Sequence, residues 1–318
     1  MSEKVLVTRE IPEAGLGLLE GFDVTVLSER PPERDELLEA ARGIDGVLST
    51  LTETMDAEFM DAAGDDLKVI ANMAVGFDNV DIETAKERGV VVTNTPEVLN
   101  ETTADTAFML LLAAARRLGE GERIVRAGKW EAWGPKMLLG PDVWGKKLGI
   151  LGFGRIGQAV ARRAKGFDME ILYAGRSRKE EAEEEFDARY LELDELLQEC
   201  DFISIHTPLT EETTHLIGTE ELGKMKTQAV LVNTSRGPLI DESALADALE
   251  NGNIFAAGLD VYEEEPKVHP KLLELENVVL APHIGSASIE TRDRMAATAG
   301  EDLRAVLRGE QPKNPVSA

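Results

Sequence analysis

Short apolar runs recur along the chain, separated by amphipathic stretches. In the first hundred residues the runs are "KVLVTR" (4–9), "DVTVL" (23–27), "GVLST" (46–50), "KVIANM" (68–73) and "VVVTN" (90–94). Their length and β-branched content predict strands. Between them, "PPERDELLEAARG" and "VDIETAKERG" carry a helical period. Strands alternating with helices predict a parallel sheet covered by helices. One long helix is expected over "ETTADTAFMLLLAAARRLGEGERIVRAG", with Asn100 placed to cap its first turn and Glu101 near the positive end of its dipole. A second series follows: "KKLGILGFG" (146–154), "MEILYAG" (169–175), "DFISIHTP" (201–208), "AVLVNTSRG" (229–237), "IFAAGLDV" (254–261) and "NVVLAPH" (277–283). Six candidate strands make a complete doubly wound unit. A last helix, "SIETRDRMAATAGEDLRAVLRG", closes the chain. The pattern predicts an α/β protein of two doubly wound parallel-sheet domains.

The length of 318 residues fits two domains. The longest apolar run, "AFMLLLAAA" (107–115), is short of the ~20 residues a membrane span needs and reads as a buried helix. The N-terminus enters a strand with no signal peptide, and the single cysteine, Cys200, reads as a buried thiol. Both point to the cytoplasm. Sixty acidic residues against 34 basic ones give a net charge of −26, which argues against nucleic acid or an anionic membrane as partner. The run "KEEAEEEFD" (179–187) is expected to be a solvated helix face. On so acidic a surface, an anionic ligand must meet a local cluster of cations. Arg176, Arg178 and Arg236 are the candidates.

The stretch "GILGFGRIG" (149–157) lies between a strand and a helix, the setting in which glycines cradle a dinucleotide. Gly152 permits the tight turn, Gly154 the approach of a pyrophosphate, and Gly157 the packing of helix on strand. About 20 residues further on, a carboxylate ordinarily receives the ribose hydroxyls of NAD. Here the residues are Gly175, Arg176, Ser177 and Arg178. The missing acid makes room, the hydroxyl can donate, and the guanidiniums offer forked donors to a 2′-phosphate. NADP(H) is the expected cofactor, with NAD(H) the weaker alternative. The opposing possibility is that both arginines pair with the acid run beyond them.

Reducing a carbonyl by hydride transfer needs a proton donor, a cation for a substrate carboxylate and a group that tunes the donor. Candidates follow successive strands: Arg236 in "NTSRG", Asp260 and Glu265 in "GLDVYEEEP", and His283 in "APHIGSAS". His206, also at a strand end, could line the adenosine side, whereas His215 and His269 read as surface residues. Glu263 to Glu265 with His269 could suggest a metal, but Pro266 breaks the loop and no second histidine is near, so no metal is expected.

Together these motifs resemble the D-isomer-specific 2-hydroxyacid dehydrogenases, and among them the glyoxylate/hydroxypyruvate reductases. The resemblance spans nearly the whole chain. It includes "ANMAVGFDNVDIETAKERG", "TNTPEVLNETTADTAFMLLLAAARR", "VNTSRGPLIDESALADAL", "AAGLDVYEEEP" and "APHIGSAS". It implies a Rossmann cofactor domain over 100–284 with a dimerisation arm around 100–145. It also implies a discontinuous, flavodoxin-like substrate domain over 1–99 and 285–318 that closes over the first, and a homodimer. His283 would be the general acid, and Glu265 would pair with it and keep it protonated near neutral pH. Arg236 would clamp the carboxylate of a small 2-oxo acid, with Leu51 and the N–H groups of Val75 and Gly76 also at the substrate. Asp260 would hold the nicotinamide carboxamide. Thr103, Gly152, Phe153, Gly154, Arg155, Ile156, Gly157, Gly175 to Ser177, His206, Thr207, Pro208, Thr234, Ser235, Arg236, His283 and Gly285 would line the cofactor. Two features depart from close relatives. Met73 stands where an aromatic is common, and 134–142 lacks a tryptophan, although Trp130, Trp133 and Trp144 flank it. Leu51, Met73 and Leu138 are expected to wall a small pocket, with no cation near Leu51 or Val75 for a distal phosphate. The competing readings are an NAD-dependent D-2-hydroxyacid or phosphoglycerate dehydrogenase, and a cofactor-sensing protein of the corepressor kind.

Overall fold

Every strand pairing in the two sheets of the protein is parallel. Parallel neighbours require crossovers, which the amphipathic stretches supply as helices. The computed structural model describes residues 2–316; residue 1 and residues 317–318, which fall in the expected substrate domain, lie outside the described residues. The chain divides into two compact units, Met1–Leu99 with Ala287–Ala318, and Asn100–Ser286.

In the first unit, β1 (Lys4–Val7), β2 (Asp23–Val26), β3 (Gly46–Ser49), β4 (Val69–Asn72) and β5 (Val91–Thr93) lie in the order β2-β1-β3-β4-β5. That is the flavodoxin-like order. The central strands β3 and β4 are buried throughout, whereas β2, at the edge, alternates polar residues and stays largely exposed. Leu6, Phe59, Met60 and Ile70 fill the core. The last long helix, Ile289–Leu307, packs on β3, β4 and β5. Side chains of Asp56, Asp81 and Ser288 cap the helices that follow them, as short polar residues do at helix starts.

In the second unit, β6 (Lys147–Leu151), β7 (Glu170–Ala174), β8 (Ala188–Tyr190), β9 (Phe202–Ile205), β10 (Val230–Asn233), β11 (Ala256–Leu259) and β12 (Val278–Leu280) lie in the order β12-β11-β10-β9-β6-β7-β8. Six of these coincide with the expected runs. The seventh, β8, is a three-residue edge strand with one buried residue and no apolar run to announce it. Strand order reverses between β6 and β9, the place where ligands bind in such sheets. The expected long helix is two. Asn100–Ala115 is buried against β10, β11 and the helix Arg155–Lys165; then Arg117 turns left-handed (φ 51°) and Leu118–Arg126 sets off in a new direction. Nothing in the composition marks this break, since Arg117 is not a glycine; its guanidinium holds Glu120 in the first turn of the new helix. Asn100, expected as a cap, is the first residue of its helix. Cys200 is fully buried, and burial pushes its thiol up to about 12. Among the described residues no helix is long and apolar enough to cross a membrane.

Candidate active site

At the switch point, the turn after β6 has Gly152 at φ 91°. A Cβ there would lie 2.7 Å from the backbone of His206 and Thr207, which follow β9. Gly157 is equally constrained, because a Cβ would meet the Gly152 carbonyl oxygen at 2.4 Å. Gly154 differs: a Cβ would meet nothing within 4 Å. It precedes the helix Arg155–Lys165, whose start no side chain caps, so the positive end of the helix dipole lies beside this turn. Thr234 contributes a buried Oγ1 with no partner among the described residues. A phosphate-bearing dinucleotide fits these three features. Phe153 does not offer its ring: it is buried and stacked on Tyr173 at 4.4 Å, which leaves only its backbone for a ligand. Arg155 is exposed and Ile156 half-buried.

The stretch after β7 is exposed from Gly175 to Arg178, and a Cβ at Gly175 would also meet nothing. Its two arginines have different fates. Arg178 is committed to Glu183 through Nε–Oε1 (2.8 Å) and Nη2–Oε2 (2.7 Å), and the same carboxylate accepts the Tyr173 hydroxyl. Arg178 is therefore part of the acid run's own pairing, and Glu183 is not the purely solvated residue that the run suggested. Arg176 makes no hydrogen bond or ion pair among the described residues, although its charge reaches Glu212. His206 places Nε2 2.8 Å from the Ser204 hydroxyl, and burial pushes its imidazole down to about 4, so it is neutral at pH 7.

The ends of β10 and β11 and the turn after β12 hold the charged groups. After β10, the buried Asn233 side chain accepts from Ser235 N–H (3.0 Å) and donates to the Arg236 carbonyl (2.8 Å), and Ser235 Oγ donates to the Thr207 carbonyl (2.7 Å). Arg236 thus leaves a turn locked from both sides. After β11, Asp260 is fully buried; its carboxylate accepts the N–H groups of Ile284 and Gly285, each at 2.7 Å, and its carbonyl accepts His283 N–H at 2.9 Å. Burial raises the Asp260 carboxyl above the ordinary aspartate value, against the pull of the Ile284 N–H and the His283 charge. This clamp holds His283 at φ 53°, a left-handed backbone that costs free energy and concentrates at functional sites. Thr103, buried, lies beside Gly285, where a Cβ would approach its Cγ2 at 3.5 Å.

The His283 ring directs Nδ1 to Glu265 Oε2 at 2.8 Å, with both side chains only about a quarter exposed (26% and 29%). Burial alone would raise the Glu265 carboxyl. The His283 bond and charge, the Tyr262 N–H and the Arg236 charge outweigh it and hold Glu265 below the ordinary carboxylate value. An ionised carboxylate on Nδ1 leaves Nε2 as the ring atom able to give a proton to a ligand. In the acidic loop after β11, Glu263 turns to His215 (2.5 Å) and Glu265 to His283, and beyond the loop His269 turns to Ser243 (3.3 Å). Among the described residues no three such groups converge. His215 is exposed as expected, but His269 is half-buried, with an unpartnered buried Nδ1.

In the first unit, the carbonyls of Val75 and Gly76 are taken by Asn94 Nδ2 (2.8 Å) and Asn72 Nδ2 (2.9 Å), while the N–H groups of both residues donate to no described residue. Two adjacent free N–H donors suit a carboxylate oxygen. Leu51 is half-buried and Met73 buried. Leu138, in the second unit, packs against Gly121. The expectation that no cation lies near Leu51 is corrected. Arg9, two residues beyond β1, reaches Thr52 Oγ1 (3.1 Å) and Glu53 (3.4 Å) through Nη1, and its Nε donates to the Glu29 carbonyl.

Asn233 and Gly237 were not singled out in the sequence, although both stand in the strand-end motif "VNTSRG". Gly237 follows Arg236 and touches the loop that carries Glu265: a Cβ there would sit 1.8 Å from Tyr262 C and 2.4 Å from Glu263 N. Gly237→Ala must therefore displace that loop. Overpacking of this kind costs ~1–3 kcal/mol, and the Tm should fall while kcat/KM drops as Glu265 shifts. Unchanged turnover in a folded Gly237→Ala variant would refute the coupling.

Residues 108–285 match the family described as D-isomer specific 2-hydroxyacid dehydrogenase, NAD binding domain. A glyoxylate reductase from Korarchaeum cryptofilum is 54% identical over 322 residues, covering 100% of this chain and 96% of the relative. A protein of known structure from Thermus thermophilus has a TM-score of 0.93 at 48% identity, covering 99% of this chain and 100% of the other. The NADPH-dependent glyoxylate/hydroxypyruvate reductase of Sinorhizobium meliloti, solved with NADP and malonate, has a TM-score of 0.86 at 35% identity, with 100% and 97% covered. With its two parallel sheets, its dinucleotide turn and these full-length matches, the chain belongs to the D-isomer-specific 2-hydroxyacid dehydrogenases.

Proposed function

We propose that the protein reduces small 2-oxo acids, glyoxylate and hydroxypyruvate, to D-2-hydroxy acids with NADPH, and with NADH less well. The observation that carries this reading is the Glu265–His283 pair, held by the Asp260 clamp and within reach of the Arg236 charge. The names of the Korarchaeum and Sinorhizobium relatives support the substrate class.

In this reading the second unit is the cofactor domain. Gly152 to Gly157 and the helix start behind them receive the pyrophosphate. Gly175, Arg176 and Ser177 receive the adenosine ribose and its 2′-phosphate. Thr103, His206 to Pro208, Thr234, Ser235 and Gly285 line the rest, and Asp260 serves the carboxamide end. When bound, the reduced nicotinamide supplies the hydride. Arg236 clamps the substrate carboxylate and polarises its carbonyl. The first unit is the substrate domain, where the Val75 and Gly76 N–H groups take the other carboxylate oxygen. His283 gives the proton at Nε2 to the carbonyl oxygen, while Glu265 stabilises the charged ring and fixes its orientation. Leu51 and Met73, in the first unit, limit substrate size, which favours the two small acids over bulky ones.

The enzyme works in the cytoplasm as a homodimer built on its arm. Eight of the thirteen exposed large hydrophobic side chains among the described residues fall between Met109 and Trp144, including Leu118, Trp133 and Leu139. So many exposed apolar side chains in one segment support an association surface there. Sedimentation should give twice the 34.7 kDa of one chain. A monomer at micromolar concentration would remove the dimer from this reading.

Consumption of NADPH and NADH with glyoxylate tests the activity and the cofactor together. A charge-assisted hydrogen bond contributes ~1.5–3 kcal/mol, so Arg176→Ala should weaken NADPH by roughly 10- to 100-fold. NADH should be nearly unaffected. Arg178→Ala should change little, because Glu183 already holds that side chain. Wild-type preference for NADH, or a cofactor ratio unmoved by Arg176→Ala, would contradict the assignment.

A further inference from the structure

The first unit contains a buried polar network that the proposed chemistry leaves unused. Glu53 is 4% exposed. Its Oε2 accepts from Thr8 Oγ1 (2.7 Å), Thr50 N–H (2.9 Å) and Thr50 Oγ1 (2.9 Å), and its Oε1 accepts from Thr52 Oγ1 (2.5 Å) and Arg9 (3.4 Å). Burial would raise this carboxyl, yet the Thr52, Thr8 and Thr50 donors hold it below the ordinary value. Three of those donors belong to the residues on either side of Leu51.

Asn79 ties this segment to the next. Its Nδ2 donates to the carbonyls of Thr50 (3.0 Å) and Glu53 (2.9 Å), and its Oδ1 accepts from Asn72 Nδ2 (3.2 Å). Asn72 Nδ2 also donates to the Gly76 carbonyl (2.9 Å), and the Asn79 carbonyl accepts Met55 N–H (2.8 Å). The loops after β3 and β4 are thus joined by amide side chains beyond the ladder that pairs the strands themselves. Buried polar groups are costly unless satisfied, and a satisfied network fixes one geometry. Leu51 sits on one loop, and the free N–H groups of Val75 and Gly76 on the other.

We propose that Asn79 and Glu53 are positioning residues for substrate affinity. Asn79 locks the 50–53 segment to the 73–79 segment, and Glu53 pins Thr50 and Thr52, so that Leu51 and the Val75 and Gly76 N–H groups keep a fixed spacing for the oxo-acid carboxylate. The inference rests on the substrate-domain reading above. It assigns these two side chains to oxo-acid KM and leaves cofactor binding to the other unit.

The test is steady-state kinetics of the full chain, with Tm measured alongside. Asn79→Asp keeps the shape but replaces two donors with an oxygen facing two carbonyls. The KM for glyoxylate should rise ~10-fold or more, as expected when buried donors are lost and their partners left unsatisfied. The inhibition constant of oxalate, an unreactive carboxylate, should rise in parallel, while the KM for NADPH stays within twofold. A role in folding alone would lower the Tm and the active fraction but leave the KM of the folded enzyme unchanged. Glu53→Gln is judged by the same constants. If either variant folds with wild-type glyoxylate KM, or if neither folds, the proposal is wrong while the functional reading survives. A wild type that consumes neither cofactor with any oxo acid would instead remove the reading and the inference together.

Discussion

The fully buried carboxylate of Asp260 is the constraint on which the geometry of the candidate site depends. It ends β11 and takes up two successive N–H groups of the turn after β12, while its own carbonyl takes a third. These bonds hold His283 in a left-handed backbone conformation that a β-carbon disfavours. The strain is sustained because an unpaired buried carboxylate would cost more than the φ value does. With the backbone fixed, the ring reaches Glu265 at 2.8 Å, and Glu265 is fixed in turn by Tyr262 N–H at 3.0 Å. Gly237 completes the arrangement by letting the Arg236 turn lie directly on that same loop.

Electrostatics sets a second constraint. With a net charge of −26, the surface repels anions over a Debye length of ~10 Å at 0.1 M salt. Any anion must therefore be held locally, by directed N–H groups or by a cation that no carboxylate already occupies. Most arginines in this chain are occupied, as the Arg178–Glu183 and Arg9–Glu53 pairs illustrate. The uncapped helix start behind Gly154, the N–H groups of Val75 and Gly76, which donate to no described residue, and Arg176 are local features of that kind. Exposed ion pairs are individually weak in stability terms, so their effect here is chiefly to withdraw cations from ligand binding.

Much of this was legible in the sequence because it rests on local rules. Eleven of the strands follow apolar runs, and the glycine turn, the strand-end Arg236, Glu265 and His283 stand in recognisable motifs. What escaped depends on tertiary contacts. The edge strand β8 is stabilised by pairing with β7 rather than by its own composition. The helix break at Arg117 uses a residue that ordinarily continues a helix. Whether Arg176 or Arg178 is available depends on Glu183, five residues beyond Arg178, and on Tyr173 beneath it. Arg9 lies 42 positions before Leu51, and only the adjacency of β1 and β3 brings it to Thr52 and Glu53. Asn79, half-buried, and Asn233, buried, are polar residues that no periodicity announces; their roles rest on hydrogen bonds to backbone carbonyls.

The account stands on Glu265 acting through His283, and the pH profile of kcat/KM for glyoxylate tests it most directly. Glu265→Gln keeps the shape of the side chain and removes its charge. If an ionised Glu265 stabilises the protonated ring, the alkaline limb in the variant should move to lower pH by about one unit or more, with the KM for NADPH unchanged. A profile that superposes on that of the wild type would show that the carboxylate does not govern the proton donor, and the assignment of His283 as that donor would fall with it.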